Sequence, residues 1–513
     1  ATIVEEDKDI LTMSGTTNNK GARTGVIVDQ NGLVYTVGYN GYGEMGDGTN
    51  SSSTTPVCIS KLSLTVMPSV INYNKVGDTG EKITHSVSVV FNLLYDTIAQ
   101  GTCKYKSLDE NIATVSEDGV VTATGLGSTY IKVFNKENDR YASVKVNVNG
   151  EQGKTQAKIV GGWNHFVALK ANGEVWTWGY NNYGQLGLGN STTTTKPTRT
   201  NIYNSEDETQ DVYAVDVAAG SYHTLVLKSD GTVWSAGSNA NGQLGNGIKG
   251  NSIEFAKVEG IPEKVVAIAA NNSTSYALTE SGTVYGWGYN GYGQLGNNST
   301  ANSSVPVKVQ RVSSVMQISA GQNHLTMLAA DGTVWSTGYN ANGQLGLGDK
   351  INRSLPTQMK NADGTGILTG IREVSAGSAH TLLLTEERTA YAVGYNGYGQ
   401  LGNGNNTTQL LPVQMVDNEG AAVTNIKEVE ANGYASILAV KPSVNEENSE
   451  TEAGIYVAGY NNYGQLFTQN KTNLNALTKV QTDKNVITIA STKNTSYQTS
   501  AIADDLGLVY TVG

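Results

Sequence analysis

Phenylalanine, cysteine and proline are scarce in this chain of 513 residues, which has five, two and eight of them. No run of about 18 apolar residues is present, which argues against membrane insertion of this segment. No apolar stripe at three–four spacing extends beyond about two helical turns, so long amphipathic helices are not expected. The two cysteines, Cys58 and Cys103, allow one disulfide at most, and the alternative of two separate thiols stays open.

Basic residues are also few, 34 Lys and Arg against 45 Asp and Glu, and the net charge is −11. A protein that binds nucleic acid through one face normally concentrates basic residues there, so nucleic acid is not an expected partner. The sequence has no recognisable signal peptide, opens at Ala1 and stops at Gly513 inside a repeat. We therefore expect it to be a segment of a longer protein, and whether that protein repeats this unit stays open.

Glycine, by contrast, is abundant, with 60 residues. Glycine and asparagine tolerate positive φ and occupy tight turns, so a chain rich in both favours many short strands. One phrase of this composition recurs seven times. Its copies are GYNGYGEMGDG (38–48), GYNNYGQLGLG (179–189), GSNANGQLGNG (237–247), GYNGYGQLGNN (288–298), GYNANGQLGLG (338–348), GYNGYGQLGNG (394–404) and GYNNYGQLF (459–467).

Each copy follows a short β-type segment that ends in glycine, such as GEVWTWG (173–179) or GTVWSTG (332–338). Upstream lies a pair of predicted strands around a glycine, as in VAAGSYHTLVLKSDG (217–231), and downstream a proline-led strand such as PVKV (306–309). The unit is therefore four short strands. A single such sheet cannot bury both faces, whereas a ring of them can, which predicts an all-β propeller.

The phrase G-x-N-x-x-G-Q-L-G with an upstream A-G-x-x-H resembles the regulator-of-chromosome-condensation repeat family. The resemblance implies a propeller of seven blades with four antiparallel strands each. The predicted inner strands and the strand before the phrase occur eight times, the last in residues 486–513, so an eight-bladed ring stays open. That last fragment either closes the ring or begins a new period.

One interval breaks the spacing: Gly38 and Gly179 are 141 residues apart, whereas the other intervals are 50 to 65. Removing residues 62–149 restores a normal blade, and those residues have alternating apolar and polar strands of their own, as expected for a β-sandwich. The phrase NIATVSEDGVVTATGLGSTYIKV (111–133) resembles the bacterial group-2 Ig-like family. The predicted domains are a first blade (1–61), an inserted Ig-like domain (62–149), the remaining blades (150–485) and the further repeat (486–513).

The histidines are the first candidates for chemistry. His165, His223, His324 and His380 occupy one equivalent repeat position, where two other blades carry Thr274 and Ala435. We expect each to be satisfied by backbone groups within its own blade. The sequence contains no metal-binding, nucleotide-binding or nucleophile signature, so no enzymatic activity, metal or cofactor is expected.

The tyrosines are more suggestive, because eleven of the 27 lie in the recurring phrase. Repeat symmetry predicts that they form rings near one level of the propeller. Two interpretations stay open, packing between blades and an exposed recognition surface, since tyrosine offers apolar area with a polar tip. The candidate binding residues are Tyr42, Tyr183, Tyr292, Tyr398 and Tyr463.

A rigid platform with an Ig-like spacer indicates a bacterial extracellular or cell-surface protein with a structural or adhesive role. Whether such units are joined in tandem arrays or fibres stays open. Its expected partner is a protein or glycan surface, self-association included. The alternative is a secreted protein-binding propeller such as an enzyme inhibitor. Fold alone does not specify the ligand.

Overall fold

The computed structural model describes residues 103–440 and 454–480 apart from short gaps at 126, 136–140, 149–154, 156–157, 171, 201 and 203–211. Elsewhere it describes mainly the backbones of individual strands. No helix occurs in the described part of the chain, and accordingly no helix there is long and apolar enough to cross a membrane. The all-β class predicted from the sequence is confirmed.

The first sheet is antiparallel in the order β1-β2-β3-β4. Its strands are β1 (Ile10–Thr17), β2 (Arg23–Asp29), β3 (Val34–Gly38) and β4 (Ser53–Cys58). Cys58 thus ends β4, but its side chain lies outside the described residues, so its pairing with Cys103 stays open.

Ten further strands precede the main repeat array, in the region of the predicted insert. They are β5 (Ser60–Met67), β6 (Val70–Tyr73), β7 (Thr79–Lys82), β8 (Thr84–Phe91), β9 (Leu94–Ile98), β10 (Cys103–Ser107), β11 (Ala113–Val115), β12 (Val120–Ala123), β13 (Gly127–Asn135) and β14 (Tyr141–Val148). They form three sheets, in the orders β10-β13-β14-β6, β11-β12-β7 and β5-β8-β9. Alternate residues of β14 are buried, Val144, Val146 and Val148, as the period of a strand with one core face requires.

The repeat array continues with strands that pair in fours in chain order. They are β15 (Lys158–Gly161), β16 (His165–Leu169), β17 (Val175–Gly179), β18 (Thr194–Arg199), β19 (Ala214–Ala219), β20 (His223–Lys228), β21 (Val233–Gly237), β22 (Ser252–Lys257), β23 (Val265–Asn271), β24 (Thr274–Thr279), β25 (Val284–Gly288), β26 (Ser303–Lys308), β27 (Val315–Ala320), β28 (His324–Ala329), β29 (Val334–Gly338), β30 (Arg353–Gln358), β31 (Ile371–Ala376), β32 (His380–Thr385), β33 (Ala390–Gly394) and β34 (Gln409–Gln414).

The last strands are β35 (Ile426–Asn432), β36 (Ala435–Val440), β37 (Ser443–Val444), β38 (Glu450–Thr451), β39 (Gly454–Gly459), β40 (Leu474–Val480), β41 (Val486–Ser491), β42 (Ser500–Asp504) and β43 (Val509–Val512). Their sheets are β35-β36-β39-β40, the small hairpin β37-β38, and β41-β42-β43. Every pairing within the repeat sheets is antiparallel, as predicted for propeller blades.

The first strands of successive sheets contact one another in a cycle. The order is β15, β19, β23, β27, β31, β35 and β41, and β41 contacts β15 in turn. This closes seven sheets into a ring, within the seven to eight blades that the repeat predicted. The ring is complete without the sheet β1-β2-β3-β4, so the role of residues 1–61 as a blade, like the other domain boundaries, stays a prediction.

The second strand of each blade is the most buried, since it lies between neighbouring sheets on both faces. All six residues are buried in each of β20, β24, β28, β32 and β36. The fourth strand lies at the rim, and in β18 five of six residues are exposed. The third strand ends at a glycine because the backbone there has positive φ. At Gly237, φ is 116°, and a Cβ would lie 2.4 Å from the carbonyl oxygen of Tyr222.

Antiparallel order gives the ring two different faces. First and third strands of a blade run the same way, so the G-x-x-H turn and the recurring phrase lie at the same end. We call this end the tyrosine face. Turns between second and third strands, such as the one at Glu386–Arg388, lie at the opposite face.

Candidate functional site: the tyrosine face

Each described copy of the recurring phrase is built around one buried asparagine. The Asn181 side-chain oxygen accepts a hydrogen bond from the N–H of Leu186 (2.9 Å), and its amide donates to the carbonyl oxygens of Asn190 (2.9 Å) and Thr192 (3.1 Å). Asn290, Asn396 and Asn461 make the same bonds. The invariable asparagine of the phrase therefore ties the loop to itself.

The glutamine of the phrase fixes the residue two positions before it. The Gln185 side-chain oxygen accepts from the N–H of Tyr183 (3.1 Å), and Gln294, Gln400 and Gln465 hold Tyr292, Tyr398 and Tyr463 in the same way. The backbone at each of these four tyrosines is thus fixed by the same glutamine hydrogen bond. The tyrosine rings they carry are held on a rigid frame, which lowers the conformational entropy lost when a ligand binds.

Four of the five predicted binding residues lie on this face with part of their surface open to solvent. Tyr183 and Tyr463 are 36% and 38% exposed, while Tyr292 and Tyr398 are half-buried. Tyr42 lies outside the described residues. Their role in binding stays a prediction, but their placement at one end of the ring follows from the fold.

The rings also contact each other, both within a loop and across blades. Within loops, centroids are 6.2 Å apart for Tyr180 and Tyr183 and 5.8 Å apart for Tyr395 and Tyr398. Across blades, Tyr292 and Tyr339 are 4.7 Å apart, and Tyr398 and Tyr460 are 4.8 Å apart. The same rings therefore pack between blades and keep an exposed side, and a recognition role for that exposed side stays a prediction.

Three aromatic residues of this face were not predicted as part of it: Trp163, Tyr222 and Tyr434. Trp163 and Tyr222 occupy G-x-x-H turns, and Tyr434 occupies the corresponding turn N-G-Y-A (432–435) between the first and second strands of its blade. Tyr222 lies 5.0 Å from Tyr183 and 5.5 Å from Trp163, and Tyr434 lies 5.3 Å from Tyr398. The signal was present in the sequence, because these turn positions belong to the same repeat register as the tyrosine phrase.

The tyrosines do not run around the whole face. Where other loops carry tyrosine, one blade has Ser238 and Asn241. Amides lie near this sector instead, and the Asn272 amide donates to the Asn323 side-chain oxygen (3.2 Å). Among the described loops, the face therefore has two aromatic groups and an amide-bearing sector.

The histidines contradict the expectation that each is satisfied within its own blade. Each Nε2 meets a hydroxyl of the next blade: His165 and Thr224 (3.1 Å), His223 and Ser275 (2.9 Å), His324 and Thr381 (3.2 Å), His380 and Ser436 (3.1 Å). Each hydroxyl in turn donates to the backbone carbonyl of a glutamine in the blade that carries the histidine, as Thr224 does to Gln185 (2.6 Å).

This geometry assigns the histidine tautomer. Because the hydroxyl proton is already given to the glutamine carbonyl, Nε2 must carry the proton that the hydroxyl oxygen accepts. Burial lowers the pKa of His165 to about 4 and the pKa values of His223, His324 and His380 to about 3. The histidines are therefore neutral, and each connects two neighbouring blades by a hydrogen bond. Among the described residues no three His, Cys, Asp or Glu side chains are placed to hold a metal ion.

The opposite face is covered by the strands β10 to β14. Ile131 and Val133 of β13 belong to one apolar cluster with Met316, Leu328 and Ile371 of the ring. Lys132 pairs with Glu386, Asp109 lies 4.0 Å from Arg388, and the guanidinium of Arg372 lies 5.7 Å from the ring centre of Tyr130. Apolar contact and opposite charges thus hold these strands against this face.

Lys145 of β14 interacts there with three carboxylates of the inner strands, Asp216, Glu373 and Glu428. Burial raises the pKa of Glu373 to about 7. Burial, with the nearby charge of Glu373, raises the pKa of Glu428 to about 8. The mouth of the ring on this side is therefore occupied by β10 to β14, whereas no strand of the described residues 103–440 and 454–480 lies over the tyrosine face.

Comparison with known proteins agrees with this arrangement. The RCC1-like domain profile matches residues 203–513, more than half of the chain. The chain belongs to the RCC1-like domain family. Regulator of chromosome condensation (RCC1) repeats are also matched at 31–70, 157–185 and 172–227 of this RCC1-like chain.

Relatives of this RCC1-like chain include the ultraviolet-B receptor UVR8 of Arabidopsis thaliana. It is 32% identical over 260 residues, which are 50% of this chain and 56% of the relative. The X-linked retinitis pigmentosa GTPase regulator of Canis lupus familiaris is 40% identical over 245 residues, 47% of this chain and 23% of the relative. The chain thus spans about half or less of the length of these relatives.

Solved structures show the same fold. Yeast RCC1 (Prp20), in a complex with Kap60, matches with a TM-score of 0.55 and 21% identity, over 68% of this chain and 80% of that one. Human WBSCR16 matches with a TM-score of 0.55 and 20% identity, over 68% and 87%. At these identities the likeness concerns the fold of the ring.

Proposed function

We propose that this RCC1-like chain is a protein-binding propeller that engages its partner through the tyrosine face. The observation that carries the proposal is the contrast between the two faces: one has half-exposed tyrosines on fixed loops, and the other is covered by the chain's own β10 to β14. Tyrosine is enriched where proteins meet, because it combines apolar area, few rotatable bonds and a hydroxyl.

Support also comes from the relatives, which are named as a receptor and a GTPase regulator, and from yeast RCC1, which is found in complex with Kap60. These are properties of those proteins. They favour a binding or regulatory role over catalysis, as does the burial of the four histidines, which are at most 1% exposed.

The test is site-specific photo-crosslinking. A photoreactive phenylalanine analogue replaces Tyr463 on the face, and in a control it replaces Val305, which is 46% exposed on the rim strand β26. Both variants are irradiated with the proteins of the source organism. The proposal expects an adduct of discrete mass at 463 and none at 305, whereas equal or absent labelling at both positions contradicts it.

We further propose that residues 62–149 are a bacterial group-2 Ig-like module and that the protein acts outside the cell, as a structural or adhesive platform. The phrase at 111–133 and the sheet order β10-β13-β14-β6 with β11-β12-β7 support this setting. Glycan binding and self-association are the further partners this setting allows, and an enzyme inhibitor is the alternative role. Labelling of intact cells by a membrane-impermeant reagent tests the location, and labelling only after lysis contradicts it.

A further inference from the structure

The sheet β1-β2-β3-β4, which the contact cycle of the ring does not include, has the strand register of a ring blade. We call it the first sheet, and we call β41-β42-β43, which closes the ring, the last sheet. The first sheet has a bulge between Ile10 and Thr12, and the last sheet has one between Val486 and Thr488. The other blades have a bulge at the same place in their first strands.

The third strands of these two sheets also have the same sequence. Residues 32–38 and 507–513 both read GLVYTVG. Gly25 pairs with Val37 in the first sheet, and Ser500 pairs with Val512 in the last sheet, so the second and third strands are aligned identically. The chain thus contains two sheets with the register of a blade for one position, which lies between the blades that begin with β35 and β15. We call this position the closing place.

A sheet in the closing place must fit the blade that follows it. Inside the ring, the residue that pairs with the closing glycine faces the next blade: His223 pairs with Gly237 and meets Ser275 of the next blade. Where Thr274 replaces the histidine, the next blade has the apolar Leu325 instead of a hydroxyl residue. Threonine opposite an apolar residue is therefore the second combination that the ring uses.

Both sheets supply threonine at this position. Thr24 pairs with Gly38 in the first sheet, and Thr499 has the same distance in sequence from the closing glycine of the last sheet. The blade that follows the closing place has the apolar Phe166 at the position of the hydroxyl residues. The first and last sheets therefore offer Phe166 the same residue type, in the combination that the ring already contains.

At the preceding blade, each sheet has one advantage. In four described interfaces a hydroxyl donates to a glutamine backbone carbonyl of the preceding blade, and the last sheet has Ser500 at this position where the first sheet has Gly25. The first sheet brings a fourth strand instead. Fourth strands bond to the phrase of the preceding blade, as the Ser304 carbonyl does with the N–H of Gly247 (3.0 Å). Neither sheet is therefore strongly favoured over the other.

We propose that the first and last sheets are alternative occupants of the closing place within one chain, so that the ring exchanges between two closed forms. The chain path suits the first sheet as well as the last. In a blade, the fourth strand ends and the next first strand begins at the face covered by β10 to β14, so the inserted strands join β4 to β15 without crossing the ring.

The exchange changes the composition of the tyrosine face. The form closed by the first sheet places the phrase at 38–48, with Tyr39 and Tyr42, on that face beside the blade of Trp163. The form closed by the last sheet leaves this phrase outside the ring. The effect on a partner rests on the proposed function, whereas the exchange itself does not.

The experiment places a photoreactive phenylalanine analogue at Phe166 of the full 513-residue chain and maps the adducts by peptide mass spectrometry. Phe166 is half-buried and stacks on Trp178 at 5.5 Å, so the analogue keeps the native ring. We expect adducts with both 23–29 and 500–504. The same analogue at Leu325 is the matched control, and it should label only the segment of Thr274. Mixing with a chain labelled with heavy nitrogen distinguishes adducts within one chain from adducts between copies.

Two substitutions bias the exchange. Ile27 and Ile502 occupy the position of Val226, which is fully buried in its blade. Because a carboxylate is costly to bury there, Ile502→Asp should shift the adducts to 23–29 and Ile27→Asp should shift them to 500–504. Each change alone should leave amide hydrogen exchange in β15 and β35 within about twofold of the parent. Both together should accelerate it at least about tenfold, since no closing sheet remains.

Adducts with only one of the two segments in the parent chain overturn the proposal, as do adducts that Ile502→Asp leaves unchanged. Equal acceleration of hydrogen exchange by Ile502→Asp alone and by the double variant identifies the last sheet as the sole occupant. Adducts between differently labelled chains overturn exchange within one chain in favour of exchange between copies. Crosslinking at Tyr463, which belongs to neither sheet, tests the proposed function separately.

Discussion

The Nε2 atom of His223 lies 2.9 Å from the hydroxyl oxygen of Ser275 in the following blade. That hydroxyl donates to the backbone carbonyl of Gln243, which lies in the same blade as His223. Two blades are thereby joined by a buried polar link. In one described blade, Thr274 occupies the histidine position. The next blade has Leu325 at the position where the other described interfaces have a serine or threonine hydroxyl. Both partners are thus replaced together.

This pairing predicts a strong coupling between the two positions. Ser275→Ala leaves the His223 N–H and the Gln243 carbonyl without that hydroxyl, and we expect a loss of about 1–3 kcal/mol in unfolding free energy. His223→Thr with Ser275→Leu, which copies the Thr274 and Leu325 pair, should cost less than the sum of the single changes. Denaturant unfolding of the four proteins measures this, and additive costs would show that the residues act separately.

The buried histidines predict a loss of stability in mild acid. Their pKa values of about 3 to 4 lie below the 6.5 of an unfolded histidine, so below pH 6.5 the unfolded chain binds protons that the folded chain does not. Stability should therefore fall as pH decreases from 6.5 towards 4, by up to about 1.4 kcal/mol per pH unit for each histidine. His324→Thr should reduce the change of unfolding free energy with pH by the contribution of one histidine, up to about 1.4 kcal/mol per pH unit.

Glu373 and Glu428 act in the opposite direction, since their raised pKa values make the folded chain the one that holds more protons between about pH 4.5 and 8. The comparison of His324→Thr with the parent chain removes this contribution, which both proteins share. An unchanged slope below pH 6 would contradict the assignment of a neutral His324.

Lys145 is expected to hold β10 to β14 on the ring. Lys145→Met removes the only cation from the insert strands that interacts with Glu373 and Glu428 among the described residues. We expect faster hydrogen exchange in β27 and β31 and easier proteolysis of the insert, more so at pH 8, where both carboxylates lose protons. Lys106→Met, at an exposed position of β10, is the control, and equal effects of the two changes would refute the role of Lys145.

The asparagine that ties each loop predicts a position-specific cost. Asn396→Ala removes the acceptor for the Leu401 N–H and two donors to the loop carbonyls, and we expect a loss of about 2 kcal/mol with a mobile loop. Asn405→Ser should be nearly neutral, within about 0.5 kcal/mol, because Ser299 performs the same turn contact in another blade. Calorimetry and amide exchange of 395–407 measure both.

The Asx-type turns also give a physical reason for the repeated N-x-T triplets. Asn190, Asn405 and Asn470 each accept a hydrogen bond from the N–H of the threonine two residues later. The turn therefore accounts for the asparagine, whereas the donor is a backbone N–H that other residues also supply, as Ile351 does to Asp349.

Much of the fold was predictable, since each repeat is a local unit. The glycine before every phrase indicated a positive φ, and Val233–Gly237 or Val334–Gly338 are strands where β-branched and aromatic residues alternate. The site was predictable only in part. The sequence indicated Tyr183, Tyr292, Tyr398 and Tyr463, whereas Trp163, Tyr222 and Tyr434 belong to other turns and join them only when strands 1 and 3 end at the same level.

By itself, the sequence determined the four-strand unit and the glycine turns that connect its strands, because these depend on contacts within a few tens of residues, and it left seven or eight blades open. Only the tertiary structure decided that the histidines bond to the next blade, that β41 meets β15, and that β10 to β14 cover one mouth of the ring. Those contacts join residues about 50 to more than 300 positions apart, and no local pattern encodes which surfaces meet once the ring has closed.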